Sequence, residues 1–189
     1  MVASSLFEGG SFGNGAAMRV APLGAWFADD LDAVVEAARR SAIVTHAHPE
    51  GQAGAIAIAV AAAAAWQTRD LPVSEAREQI FDEVLDRTPE GETFDGIEKA
   101  RNTSLDFRVE TAVGRLGNGS RISSQDTVPF CLWCIAKHLR DYEAALWTTV
   151  AGLGDRDTTC AIVGGVVAIA AEEPGIPKEW AERREPLEG

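Results

Sequence analysis

Residues 51–68 read GQAGAIAIAVAAAAAWQT, and not one side chain in the stretch is charged. Alanine and glycine dominate it, with Ile56, Ile58 and Val60 the only large aliphatics. Alanine gains little from lipid, and the run is short for a bilayer span, so a membrane helix is not expected. The stretch predicts instead a buried helix, starting near Pro49 and Glu50 and ending about Trp66. Its small side chains let neighbouring elements pack closely.

The segments around it carry helical signals. Upstream, DDLDAVVEAARR (residues 29–40) puts acids first and arginines last, which complements a helix dipole. Leu31, Val34, Val35 and Ala38 form one apolar stripe within it. Downstream, residues 70–106 hold eleven acidic and four basic side chains. There Ser74, Arg77, Ile80, Phe81, Val84 and Leu85 predict an amphipathic helix capped by Ser74, its charge on a solvated face. LGNGSRISS (116–124) is a turn-rich loop. One long helical run is expected over 124–152, with Pro129 near its start and Phe130, Cys131, Cys134, Ile135 and His138 at helical spacings. GLGDRDTT (152–159) interrupts the pattern before a second small-residue buried helix, CAIVGGVVAIAA (160–171). The tail over 172–189, with Pro174, Pro177 and Pro186, reads as a surface strap ending in a short helix. No convincing strand signal appears. The expectation is a single all-α domain over 1–189.

Composition narrows the function. The chain has 189 residues, 46% hydrophobic, enough to bury a core. Seventeen basic against 29 acidic residues give a net charge of −12. Such a surface repels phosphate backbones and anionic lipid, so neither nucleic acid nor membrane is an expected partner. Local backbone dipoles still allow a small anionic ligand. Three cysteines and no secretory signal in the first ten residues point to a reducing, cytoplasmic setting without a disulfide framework.

Four motifs bear on chemistry. GLGDRDTT places Asp155, Asp157 and Thr158 at a helix entry, where oxygen donors can converge on a hard cation such as Mg²⁺ or Mn²⁺. An ordinary helix cap has the same local look. GGSFGNGAAMR (9–19) is a glycine-rich loop running into a helix, the usual way to present free N–H groups to a phosphate. Ser11 and Asn14 add side chains able to reach ribose or phosphate oxygens. The loop lacks the GK[ST] of a Walker motif and the preceding strand of a dinucleotide fold. THAHP (45–49) offers His46 and His48 as polar contacts, with a capping Thr45 as the plainer reading. CLWC (131–134) has paired-cysteine spacing but sits in an apolar helix, which favours burial over metal binding.

Taken in order, GSFGNGAAMRVAPLG (10–24), THAHPEGQAGAIAIAVAAA (45–63), DTVPFCLW (126–133) and GLGDRDTTCAIVGGVVA (152–168) resemble the ADP-ribosylglycohydrolase family. The resemblance implies an all-α orthogonal helical bundle with a two-metal Mg²⁺ or Mn²⁺ centre. It also implies cleavage of the glycosidic bond that joins ADP-ribose to a protein side chain or small molecule. By motif, Asp155 and Asp157 resemble the catalytic acids, and these two with Thr158 resemble the family's C-terminal metal ligands. Ser11, Gly13, Asn14 and Gly15 resemble the loop that contacts ADP-ribose, and His46 the polar residue bordering the same cleft. The family's usual N-terminal acidic residue and Thr-Asp-Asp run have no match here, and Leu153-Gly154-Asp155 stands where Gly-Gly-Asp is common. The expectation is therefore a truncated bundle, whose exposed apolar faces imply self-association or a partner supplying that segment. A non-catalytic ADP-ribose or nucleotide-binding module, or a purely structural homologue, are the alternatives.

Overall fold

The stretch 49–67 folds as one helix against which much of the described chain packs. The computed structural model describes residues 9–171 and 175–186. Among these the elements are a 3₁₀ turn (Ala17–Arg19), then α1 (Ala21–Trp26), α2 (Leu31–Ile43), α3 (Pro49–Gln67), α4 (Val73–Arg87) and α5 (Glu92–Arg101). There follow α6 (Val109–Leu116), α7 (Ser124–Lys137), α8 (Tyr142–Ala151), α9 (Arg156–Ala170) and α10 (Lys178–Arg183). The fold is all-α. Its β pairing among the described residues is one isolated bridge between Gly13 and Ser123. No helix of the described residues is long and apolar enough to cross a membrane.

Small side chains set the geometry. Every residue of α3 from Ala53 to Ala65 is buried, and α1, α2, α4, α5, α7 and α9 all lie against it. Gly24 of α1 rests directly on the α3 backbone: a Cβ there would sit 2.1 Å from the carbonyl oxygen of Ala59. Gly54 of α3 receives Ser124 of α7 in the same way, with Oγ 2.5 Å from where its Cβ would be. The larger core residues come chiefly from α7 and α9, with Phe130 and Trp133 stacked at 6.3 Å between centroids. In the acidic segment, α4 and α5 bury Ile80, Phe81, Val84 and Ile97 and leave Glu75, Glu78 and Asp82 to solvent.

Several local expectations are corrected. Ser74 does not cap α4; the helix begins at Val73 behind Pro72, which makes no side-chain cap bond. The run 124–152 is two helices, because the chain turns at residues 138–141 and Asp141 caps α8 by accepting from the N–H of Ala144. Pro129 lies inside α7 rather than near its start. Its ring packs on Gly96 of α5, where a Cβ would come within 2.5 Å of Pro129 Cγ. Thr45 is not a cap, since the Nδ1 of His48 accepts the N–H of Glu50 at the head of α3. In the tail, Trp180 of α10 sits 6.2 Å from Tyr142 and 6.1 Å from Trp147, which pins that short helix to α8. Pro174 and the last three residues of the tail lie outside the described residues.

Candidate functional site

The two sequence features that suggest chemistry, 141 residues apart, are joined by one side chain. Asn14, in the glycine loop, donates from Nδ2 to Asp155 Oδ2 at 2.8 Å. The same nitrogen donates to Thr127 Oγ1 of α7 at 3.0 Å. Asp155 occupies the N-cap position of α9 but makes no capping bond. Its carboxylate is committed to the loop instead, so a plain helix cap does not describe it.

The loop itself is shaped by close approach. Gly10 adopts φ +90°, and a Cβ there would lie 2.6 Å from the backbone nitrogen of His48. Ser11 Oγ accepts the N–H of Gly13 at 3.2 Å, closing a tight local turn. Ser124 ties the loop to α7, its N–H donating to the carbonyl of Phe12 and its hydroxyl to that of Gly13. Gly13 and Gly15 lie on the His46 ring, their would-be Cβ positions 3.2 Å and 3.1 Å from its Nε2.

The protonation of His46 follows from its neighbours. Arg19 donates to Thr45 Oγ1 at 2.7 Å, and that hydroxyl is 2.7 Å from His46 Nδ1. The Thr45 hydroxyl thus links the Arg19 guanidinium to the Nδ1 edge of the ring, and the Nε2 edge faces the glycines. Burial, reinforced by the charge of Arg19, pulls the His46 pKa below its ordinary value of 6.5. The ring therefore favours its neutral form at the edge of the loop.

On the acidic side, a hydrogen bond with Asp155, then the backbone N–H groups of Asp157 and Thr158, hold the Asp157 carboxyl below the usual carboxylate range. Asp157 is exposed and Asp155 half-buried. Thr158 is buried, its hydroxyl donating to Met18 Sδ at 3.8 Å. Two carboxylates this close repel unless a proton or cation lies between them, and hard oxygen donors suit Mg²⁺ or Mn²⁺. Asp155 and Asp157 therefore fit one such cation, with the Thr158 oxygen adjacent in the chain. Among the described residues no group of three or more His, Cys, Asp or Glu side chains is placed to hold a metal ion, so no third such side chain joins this pair there.

The loop over 117–123, a plain turn by its sequence, also builds the site. Asn118 accepts the Asp155 N–H through its carbonyl and donates from its amide to the carbonyl of Gly152. Gly119, at φ +84°, packs on Asp155, with a would-be Cβ 3.0 Å from that of the acid. Ile122 and Leu153 hold positive φ of 54° and 57°, a costly conformation for such side chains. Paired Gly-Asn-Gly turns, at 13–15 and again at 117–119, were the available signal. The cysteines play no part in the site. Cys131 and Cys134 are buried, burial pushing the Cys134 thiol up to about 12. His138 pairs with Thr148 rather than with Cys134.

This loop-and-acid arrangement on an all-helical scaffold has a family. The family model for ADP-ribosylglycohydrolase matches residues 2–188, and the chain belongs to that family. An uncharacterised protein of Archaeoglobus fulgidus is 38% identical to it over 89% of this chain and 52% of its own length. ADP-ribosylhydrolase ARH3 of Xenopus tropicalis is 28% identical over 92% of this chain and 56% of its own length. ADP-ribosylhydrolase ARH3 of Bos taurus is 27% identical, over 98% and 57%. The chain thus spans about half the length of the curated relatives it matches.

Proposed function

We propose that this chain binds the ADP-ribose unit of an ADP-ribosylated protein side chain or small molecule and takes part in hydrolysing its glycosidic bond. The observation that carries the reading is the Asn14 bridge, which ties the glycine-rich loop to Asp155 of the acidic pair. The loop N–H groups supply donors for diphosphate oxygens, His46 Nε2 borders them as a polar contact, and Ser11 keeps the loop in its tight form. Asp157, exposed and ionised at neutral pH, accepts a hydrogen bond from a ribose hydroxyl or from the attacking water. Asp155 stands beside it, fixed by Asn14. A bound Mg²⁺ or Mn²⁺ held by Asp155 and Asp157, with Thr158 beside them, would polarise substrate oxygens at the anomeric carbon. The resemblance to proteins named ADP-ribosylhydrolase supports the reaction class. Three free thiols suit a reducing, cytoplasmic setting.

A second reading, ADP-ribose binding without turnover, is favoured by the pairing of only two carboxylates among the described residues. Calorimetry with ADP-ribose, with and without Mg²⁺, tests binding. Release of ADP-ribose from modified arginine or serine substrates separates hydrolase from binder. Asp157→Asn is expected to abolish release while leaving ADP-ribose binding in place. Loss of binding in that variant would assign the acid to affinity rather than chemistry.

A further inference from the structure

Asn14 sits in the segment that the motif assigns to ligand contact, yet its side chain is spent inside the protein. It is 3% exposed, and its amide nitrogen has two hydrogens. One goes to Thr127 Oγ1 on α7, a fully buried hydroxyl, and the other to Asp155 Oδ2. No side-chain donor remains for a substrate. Its backbone carbonyl accepts from the N–H of Met18, so the residue also fixes the first turn after the loop. Asp155 has no competing cap bond to hold its carboxylate.

We propose that Asn14 is a positioning residue that locks Asp155 to the glycine loop, so that a diphosphate in the loop and a divalent cation at Asp155 and Asp157 each strengthen the binding of the other. Any shift of residues 13–15 around an anion carries the amide with it, and the amide aims the carboxylate. Thr127 anchors the amide's other hydrogen and so sets its orientation. Coupling of this kind is reciprocal: each ligand changes the affinity of the other by the same factor, of the order of 5- to 150-fold. Removing an outer partner of a metal-binding carboxylate weakens metal affinity by roughly 10- to 100-fold. The inference rests on the reading of the site as an ADP-ribose and cation site.

The test uses the full chain, with Mn²⁺ titrated by electron paramagnetic resonance and ADP-ribose by calorimetry, each alone and each with the other saturating. The wild type is expected to bind both with equal reciprocal enhancement. In Asn14→Ala, Mn²⁺ affinity alone falls about tenfold and the enhancement drops to unity, while ADP-ribose alone still binds. Thr127→Val, which leaves Asn14 in place but frees one amide hydrogen, is expected to reduce the enhancement partly. It keeps the idea testable if Asn14→Ala does not fold. Two probes that bind the wild type independently, or an enhancement that survives in either variant, would overturn the role of Asn14. Failure of the wild type to bind either probe removes the functional reading and this inference with it.

Discussion

His46 shows how far one residue's chemistry is set by its surroundings. Thr45 links its Nδ1 edge to Arg19, and burial followed by the Arg19 charge lowers its pKa. His138 is lowered too, by burial first and then by Lys137. A histidine with a depressed folded pKa binds its proton more readily when unfolded. Its contribution is therefore complete above the ordinary value of 6.5 and is lost as pH falls below it. The melting temperature is expected to decline as pH drops from neutrality towards 5, before the carboxylates titrate. By NMR, His46 and His138 should titrate with midpoints below 6.5, and a His46 midpoint above that value would contradict the effect of its burial. Cysteine chemistry is set the same way. Of the three thiols, only half-buried Cys160 is expected to react with a disulfide reagent in the native protein, and all three after unfolding.

Between elements, the decisive contacts join residues far apart in the chain. Glu50, in the first turn of α3, accepts from the N–H groups of Glu92 and Thr93 and from the Thr93 hydroxyl. It caps α5, whose own N-cap residue is Gly91, which has no side chain to do so. Glu50→Ala is expected to cost about 2 kcal/mol in urea unfolding; a loss under about 0.5 kcal/mol would mean that water replaces the cap. Gly24→Ala should destabilise by about 3 kcal/mol, because the new methyl meets the rigid α3 carbonyl of Ala59. An unchanged unfolding midpoint would show that α1 can lift away. These cases mark what was legible. The α3 helix was visible because no charge interrupts it, and α2 because its apolar stripe has helical period. The α7–α8 break was not, since HLRD at 138–141 contains neither glycine nor proline. Ser74 misled because Pro72, two residues earlier, already presets the helix entry. Both the Glu50 cap and the Asn14 bridge were invisible as pairs for one reason: their partners lie 42 and 141 residues apart, and only tertiary packing brings them together.

On the scale of the molecule, a net charge of −12 coexists with several exposed large apolar side chains. Trp26 at the end of α1 is 81% exposed, and Trp66, Phe27 and Leu71 are exposed as well. Between α1, α3 and α9 lies a hollow of about 430 Å³, lined by Ala25, Trp66, Ala168 and Ile169 and edged by Arg69 and Asp70. An apolar surface of this kind favours association in water, while like net charges oppose it. The balance gives a signed expectation. Sedimentation should show a weight-average mass that rises with protein concentration, and more steeply as salt is raised from roughly 0.01 M to 1 M, because screening weakens repulsion but not apolar contact. Trp26→Ser should suppress that rise without lowering the melting temperature, since so exposed a side chain contributes little to the core. A mass independent of both concentration and salt would mean the face is too small or too dispersed to hold two copies together. Association that weakens with salt would instead assign the contact to charged side chains such as Arg69 and Asp70.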